Sequence, residues 1–209
     1  MKVGILGSGD VAKSLAHGFI SRGHDVMLGT RDAAKLADWR KEHPGARVGS
    51  FAQTAAFGDI VAVATLGTAT ISALEQAGPQ NFQGKVVIDA TNPLTFDDKG
   101  VHLAVGFDDS LGERVQRALP GARVVKAFNT VGNQYFVDPQ FEGGPPTMFI
   151  AGNDDAAKRD VVKIIESFGW ESADLGGIES ARYLEPMCMA WVVYGARTGT
   201  WHHAFRLLT

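Results

Sequence analysis

The chain has 209 residues, of which 45% are hydrophobic, with 20 Lys+Arg against 23 Asp+Glu for a formal charge of −3, six His and one cysteine, Cys188. Without a basic excess there is no field to draw a nucleic-acid backbone or an anionic membrane surface; a lone Cys forms no internal disulfide, and six His without a second Cys offer no zinc spacing. No apolar run approaches the roughly 18 residues of a membrane span, so nucleic acid and membrane are excluded as partners, a cytoplasmic location is expected, and the length suits one domain of about 100–200 residues.

Lys2–Leu6 is a short apolar run stopped by Gly7-Ser8-Gly9, after which Val11, Leu15, Gly18 and Phe19 recur at helical spacing. A second run, Asp25–Gly29, ends at Thr30-Arg31, where Asp32 can N-cap a helix through Lys35, Leu36 and Trp39 that stops before Pro44. Ala46–Gly49, a helix at Phe51–Phe57, and the strand Asp59–Thr65 follow, and the unbroken Ile-Val-Ala-Val-Ala of that strand is the pattern of burial on both faces. A helix near Ile71–Ala77 leads to the strand Lys85–Asp89, which ends in Ala90-Thr91-Asn92-Pro93. A polar, Gly- and Asp-rich loop, a helix near Leu111–Leu119 and the strand Val124–Phe128 come next. Pro146–Ala151, a helix at Asp155–Phe168 and Trp170–Leu175 add two more strands, and a last helix is expected from Ser180 to Leu207. Strands alternating with helices give a Rossmann-type α/β fold: a doubly wound, mostly parallel sheet over residues 1–175, closed by a C-terminal helix within 176–209, all in one domain.

Gly7-x-Gly9-x-x-Ala12 lies directly between the first strand and the first helix. The first glycine permits the tight turn, the second lets backbone approach a pyrophosphate, and a small third residue lets helix and strand pack closely, with the helix N-terminus offering free N–H groups to the anion. Gly7, Ser8, Gly9, Asp10, Val11 and Ala12 are therefore candidate dinucleotide-binding residues. At the end of the second strand an acidic residue would select NAD and a basic one NADP. Thr30, Arg31 and Lys35 favour NADP, against the competing reading in which Asp32 holds the ribose of NAD. Thr65 and Leu66, Asn92 and Pro93, and Ala127 and Asn129 sit at further strand ends, where amide and hydroxyl groups suit a carboxamide and ribose hydroxyls if they are more than turn residues. His202-His203, Cys188, Asp97-Asp98 and Asp108-Asp109 read as surface, packing filler and solvated carboxylates. No catalytic dyad is evident.

Gly7-Ser8-Gly9-Asp10-Val11-Ala12, Gly29-Thr30-Arg31, Asp89-Ala90-Thr91-Asn92-Pro93, Val125-Lys126-Ala127-Phe128-Asn129-Thr130 and Ala181-Arg182-Tyr183-Leu184-Glu185-Pro186-Met187 together resemble the NADP oxidoreductases dependent on coenzyme F420, an 8-hydroxy-5-deazaflavin. The chain is also similar to the cytosolic reductase domains of the six-transmembrane metalloreductases. The resemblance implies NADP as cofactor and hydride transfer to a small-molecule co-substrate, the deazaflavin or a flavin. It places Thr30, Arg31 and Lys35 at the 2′-phosphate, and Asn129, Thr130, Pro186 and Met187 in the acceptor pocket. A flavin or ferric-chelate reductase and a non-catalytic NADPH-binding redox sensor are the alternatives. Met187, Trp191, Tyr194, Thr198, Trp201 and Phe205 recur at the spacing of one helix face, with Gly195 and Gly199 allowing close approach, so a homodimer built on the last helix is expected.

Overall fold

A computed structural model of the chain describes residues 1–98 and 100–209. β1 (Lys2–Leu6), α1 (Asp10–Ser21), β2 (Asp25–Gly29), α2 (Ala37–Glu42) and β3 (Arg47–Gly49) form the first half of the fold. α3 (Phe51–Phe57) crosses back to β4 (Ile60–Val63), α4 (Thr70–Ala77) leads to β5 (Val86–Asp89), and a hairpin of β6 (Leu94–Asp97) and β7 (Gly100–Leu103) precedes α5 (Leu111–Ala118) and β8 (Arg123–Lys126). β9 (Thr147–Gly152), α6 (Asp155–Ser167), β10 (Glu171–Asp174) and α7 (Ala181–Thr198) complete the order.

Eight strands form one sheet in the order β10-β9-β8-β5-β4-β1-β2-β3. Its neighbours are parallel except at β8–β9, where Val125 stands opposite Gly152 in antiparallel register. Alternate residues feed two cores. Val86 and Ile88 join Ala12, Leu15 and Phe19 of α1 and Val161 and Ile165 of α6 on one face. Val87 joins Ala55 of α3, Leu74 of α4 and Val115 of α5 on the other. Val61, Ala62 and Val63 of β4 are fully buried, as a strand covered on both faces requires.

Three features depart from the sequence reading. The segment read as a loop after Pro93 carries the β6–β7 hairpin, with Leu94 opposite Leu103. The helix expected after Asp32 begins as a 3₁₀ turn, Ala33–Leu36, before α2. The last helix ends at Thr198 rather than Leu207. Gly199 adopts φ 71 and its N–H donates to the Gly195 carbonyl at 2.9 Å, a left-handed cap that turns the chain back. The returning tail is pinned to β9, with Thr147 N–H donating to the Phe205 carbonyl (2.9 Å) and Leu207 N–H to Thr147 Oγ1 (3.0 Å). Trp201 and Phe205 therefore do not continue a helical stripe. Trp201 lies on Gly195, where a Cβ would stand 2.5 Å from its Cε3, so that glycine admits the chain's own indole and not a partner.

Candidate functional site

β1 is flanked by β2 and β4, and the chain leaves the sheet in opposite directions from it, which opens a crevice at the carboxyl ends of the strands. A cleft of about 300 Å³ lies there, lined by Gly7, Ser8, Gly9, Thr30, Arg31, Lys35, Thr65 and Leu66. Asp32, the competing ribose ligand, also lines it, and Phe51, Ala64, Ala69, Ser72, Ala73 and Gln76, which carry no motif that the sequence could have flagged, complete the lining.

The local geometry fits a dinucleotide phosphate. Gly7 has φ +141, and a Cβ there would collide with the Ala64 carbonyl oxygen, so the turn accepts glycine alone. Its N–H donates to Gly29 O at 2.9 Å, which ties the turn to the end of β2. A Cβ on Gly9 would meet nothing within 4 Å, leaving the backbone open to a ligand. Ala12 is fully buried behind the turn. α3, α5 and α6 begin with side-chain caps from Ser50, Ser110 and Asp154, whereas α1, like α2, α4 and α7, begins without one, so its first N–H groups have no side-chain acceptor among the described residues. Asp10 and Val11 fall in the first turn of α1, outside the cleft lining.

At the end of β2 the alternatives separate. Asp32 Oδ1 accepts from Ala34 N–H at 3.0 Å and caps the 3₁₀ turn. Thr30 Oγ1 bonds the Asp32 backbone, accepting from its N–H and donating to its carbonyl, both at 3.1 Å. Arg31 and Lys35 are exposed, line the cleft and make no ion pair among the described residues. Two cations thus line the cleft beside Asp32, whose carboxylate is engaged as the cap of the turn.

Of the other predicted loops, Thr65 and Leu66 after β4 line the cleft, whereas those after β5 and β8 lie outside it. Thr65 Oγ1 meets Thr70 Oγ1 at 3.0 Å, and the Gly67 backbone packs so closely on Asn92 O that a Cβ there would overlap it. Asn92 Nδ2 donates to Asn129 O (2.8 Å), and Asn129 Nδ2 donates to Asn92 Oδ1 (3.0 Å) and to the Leu184 carbonyl of α7 (2.9 Å). Both amide hydrogens of Asn129 are spent, and its buried Oδ1 has no partner among the described residues. Phe128, at φ 62 and buried between Phe136 and Phe168 (ring centroids 5.3 and 5.9 Å), holds the strained turn from which Asn129 projects. Pro93, Ala127 and Thr130 are buried; on α7, Pro186 is exposed and Met187 half-buried, two and three residues beyond Leu184.

Sequence reasoning missed a buried ion triad beneath these loops. Lys126 Nζ donates to Asp89 Oδ2 (3.0 Å), Glu185 Oε1 (2.8 Å) and Thr91 O (2.7 Å), with all three side chains at most 1% exposed. Burial pushes the ammonium pKa down, but the adjacent Asp89 and Glu185 carboxylates outweigh it and hold it above the usual lysine value. Asp109 also differs from its reading as a solvated carboxylate. Partial burial raises it, but hydrogen bonds from Arg114, Arg117 and the Ser110 backbone prevail and hold it at about 2. Burial pushes the Cys188 thiol up to about 11, which leaves it protonated near neutrality.

The glycine turn under an uncapped helix, at the switch point of a mostly parallel sheet and facing two free cations, defines a nicotinamide-dinucleotide oxidoreductase of the NADP-using kind. The model of the F420-dependent NADP oxidoreductase family matches residues 2–93. The chain superposes on a crystal structure from Arthrobacter sp. FB24, described as a candidate F420-dependent NADP-reductase, with TM-score 0.96 and 38% identity over 100% of both chains. It is 28% identical over 199 residues to the F420-dependent NADP reductase of Methanocaldococcus jannaschii, covering 88% of each. Metalloreductase STEAP3 of Rattus norvegicus is 29% identical over 184 residues, and there the chain spans 36% of the relative's length. The chain belongs to the F420-dependent NADP oxidoreductase family. No helix among the described residues is long and apolar enough to cross a membrane.

Proposed function

We propose that this protein transfers a hydride reversibly between NADPH and the 8-hydroxy-5-deazaflavin coenzyme, with residues 1–209 acting as one NADP-binding unit. The observation that carries the reading is the cleft itself, in which Gly7 and Gly9 sit at the open N-terminus of α1 while Arg31 and Lys35 stand unpaired at its rim. The deazaflavin is preferred to other acceptors because the F420-dependent NADP reductase of M. jannaschii matches along 88% of its length, whereas the matched part of STEAP3 is 36%.

Bound NADPH supplies the hydride; the chain binds and orients. The Gly7-Ser8-Gly9 backbone and the first turn of α1 take the pyrophosphate, and Arg31 and Lys35 take the 2′-phosphate. Asn92 and Asn129 border the nicotinamide, and Asn129, Thr130, Pro186 and Met187 form the acceptor side. A transfer between two ring carbons asks for alignment more than for proton relay, in keeping with the absence of a dyad in the sequence reading. NADPH oxidation by the purified protein should be fast with the deazaflavin and slow with free flavin or a ferric chelate. Faster turnover with either of those replaces the acceptor assignment, and oxidation with none makes the protein a binder and not an enzyme.

The outward face of α7 leaves Tyr183, Val193 and Tyr194 more than half exposed (68%, 54% and 52%). A homodimer closed over this face, and not over Gly195, is the assembly we infer. Sedimentation at micromolar concentration should give twice the 22.3 kDa chain mass, and a monomer would refute it.

A further inference from the structure

Lys126 spends its three donors on one carboxylate from β5, one from α7 and one backbone carbonyl, so the ammonium has no freedom left. Asp89 Oδ1 accepts from Thr91 N–H (3.0 Å) and Thr91 Oγ1 (2.6 Å). Glu185 accepts in addition from the N–H groups of Leu111 (3.0 Å) and Gly112 (2.9 Å), the first two residues of α5. α5 and α7 can approach this closely because Gly112 has no side chain; a Cβ there would lie 2.8 Å from Ala181 Cβ. Every charge and polar group in the cluster is satisfied, which makes it directional as well as buried. A buried ion network is a poor route to stability, since apolar residues of equal volume do as well. What it does fix is geometry, and the geometry concerns the segment that leads into Pro186 and Met187.

We propose that Glu185, held by Lys126 and the start of α5, is a positioning residue for hydride transfer, locking α7 against the ends of β5 and β8 so that Pro186 and Met187 stand at a set distance from Asn129. The inference rests on the hydride-transfer reading above. The Leu184 carbonyl, bound by Asn129 Nδ2, is the second point of the lock, one residue away. With two adjacent residues of α7 fastened to the sheet's carboxyl edge, the acceptor side of the site can neither slide nor rotate relative to the nicotinamide side. A misplacement of about 1 Å at such a site lowers the rate by on the order of 100-fold.

Glu185→Gln tests this. The amide keeps the shape, but its NH₂ must face Lys126 or a helix N–H, donor against donor, and α7 must shift. The expected result is a fall in kcat on the order of 10-fold or more, a larger primary isotope effect from NADPH deuterated at the transferred position, and an NADPH Kd unchanged within about twofold. A kcat equal to wild type overturns the proposal. So does a loss of kcat that merely follows the folded fraction, with the isotope effect unmoved. If Glu185→Gln does not fold, Glu185→Asp keeps the charge and retracts it by one methylene; the same kinetic split supports positioning, and wild-type kcat overturns it. A wild-type protein inert toward every flavin-like acceptor would overturn the hydride-transfer reading itself, whereas an active wild type with unaltered variants overturns the positioning role alone.

Discussion

Arg31→Ala is expected to weaken NADPH binding by on the order of 10- to 100-fold while leaving NADH binding nearly unchanged. The 2′-phosphate is a dianion that NADH lacks, and a charge-assisted hydrogen bond to it is worth about 1.5–3 kcal/mol, at about 1.4 kcal/mol per decade of affinity. Arg31 lines the cleft, is exposed and makes no ion pair among the described residues, so the proposed phosphate interaction is what the substitution would remove. Solvent screening at an exposed site places the effect toward the lower end of that range. Lys35 should contribute less, as a mobile ammonium. Thr30 should act through the turn, since its hydroxyl already bonds the Asp32 backbone. Titration of both cofactors by nicotinamide fluorescence gives the two constants. Equal losses for NADPH and NADH would mean that Arg31 supports the loop or stacks on adenine. A wild-type preference for NADH would return the role to Asp32, despite its use as the cap of Ala33–Leu36.

Lys126→Met should destabilise the fold by about 3–5 kcal/mol, because it leaves Asp89 and Glu185 as buried carboxylates with no counter-charge. Against a total stability of about 5–15 kcal/mol, that shows as a large drop in the urea midpoint. The folded-state pKa of Lys126 is raised, so its contribution is complete below the ordinary lysine value and is lost only as pH rises through the folded one. The wild type's share of the deficit should accordingly be flat across neutral pH. Adding Glu185→Leu to Lys126→Met should recover part of the loss, since one orphaned carboxylate disappears, and the non-additivity measures the coupling. A midpoint equal to wild type would mean that water reaches the triad and that it is not buried in solution.

Local patterns made the glycine turn at the cleft legible. Gly7, Gly9 and Ala12 serve a turn whose requirements are steric and confined to six residues, and the fold meets each of them. Asp32 was legible as a cap for the same reason, its partner Ala34 being two residues away. The ion triad beneath the β5 and β8 loops depends on contacts that no short window contains. Lys126 and Glu185 are 59 positions apart, and each alone reads as an ordinary charged residue at an element's end. Strand direction is also silent in hydrophobic periodicity, so β9 gave no sign of running against β8. The spacing of Trp191, Trp201 and Phe205 misled because apolar recurrence reports shared burial and not a continuous helix. Gly199 turns the chain, and the tail brings Trp201 to within 5.3 Å of Trp191 (ring centroids) from the opposite direction. The β6–β7 hairpin was hidden by the Asp and Gly residues around its short strands.

The most direct test of hydride transfer from NADPH to a deazaflavin follows the transferred atom. NADPH carrying deuterium at either face of the nicotinamide C4 is mixed anaerobically with protein and the 8-hydroxy-5-deazaflavin, and the reduced acceptor is weighed by mass spectrometry. The account predicts that one of the two labelled cofactors delivers its deuterium to the deazaflavin ring carbon in full, with no exchange into water. An unlabelled product from both, or NADPH oxidised with a free flavin or ferric chelate but not with the deazaflavin, would contradict it.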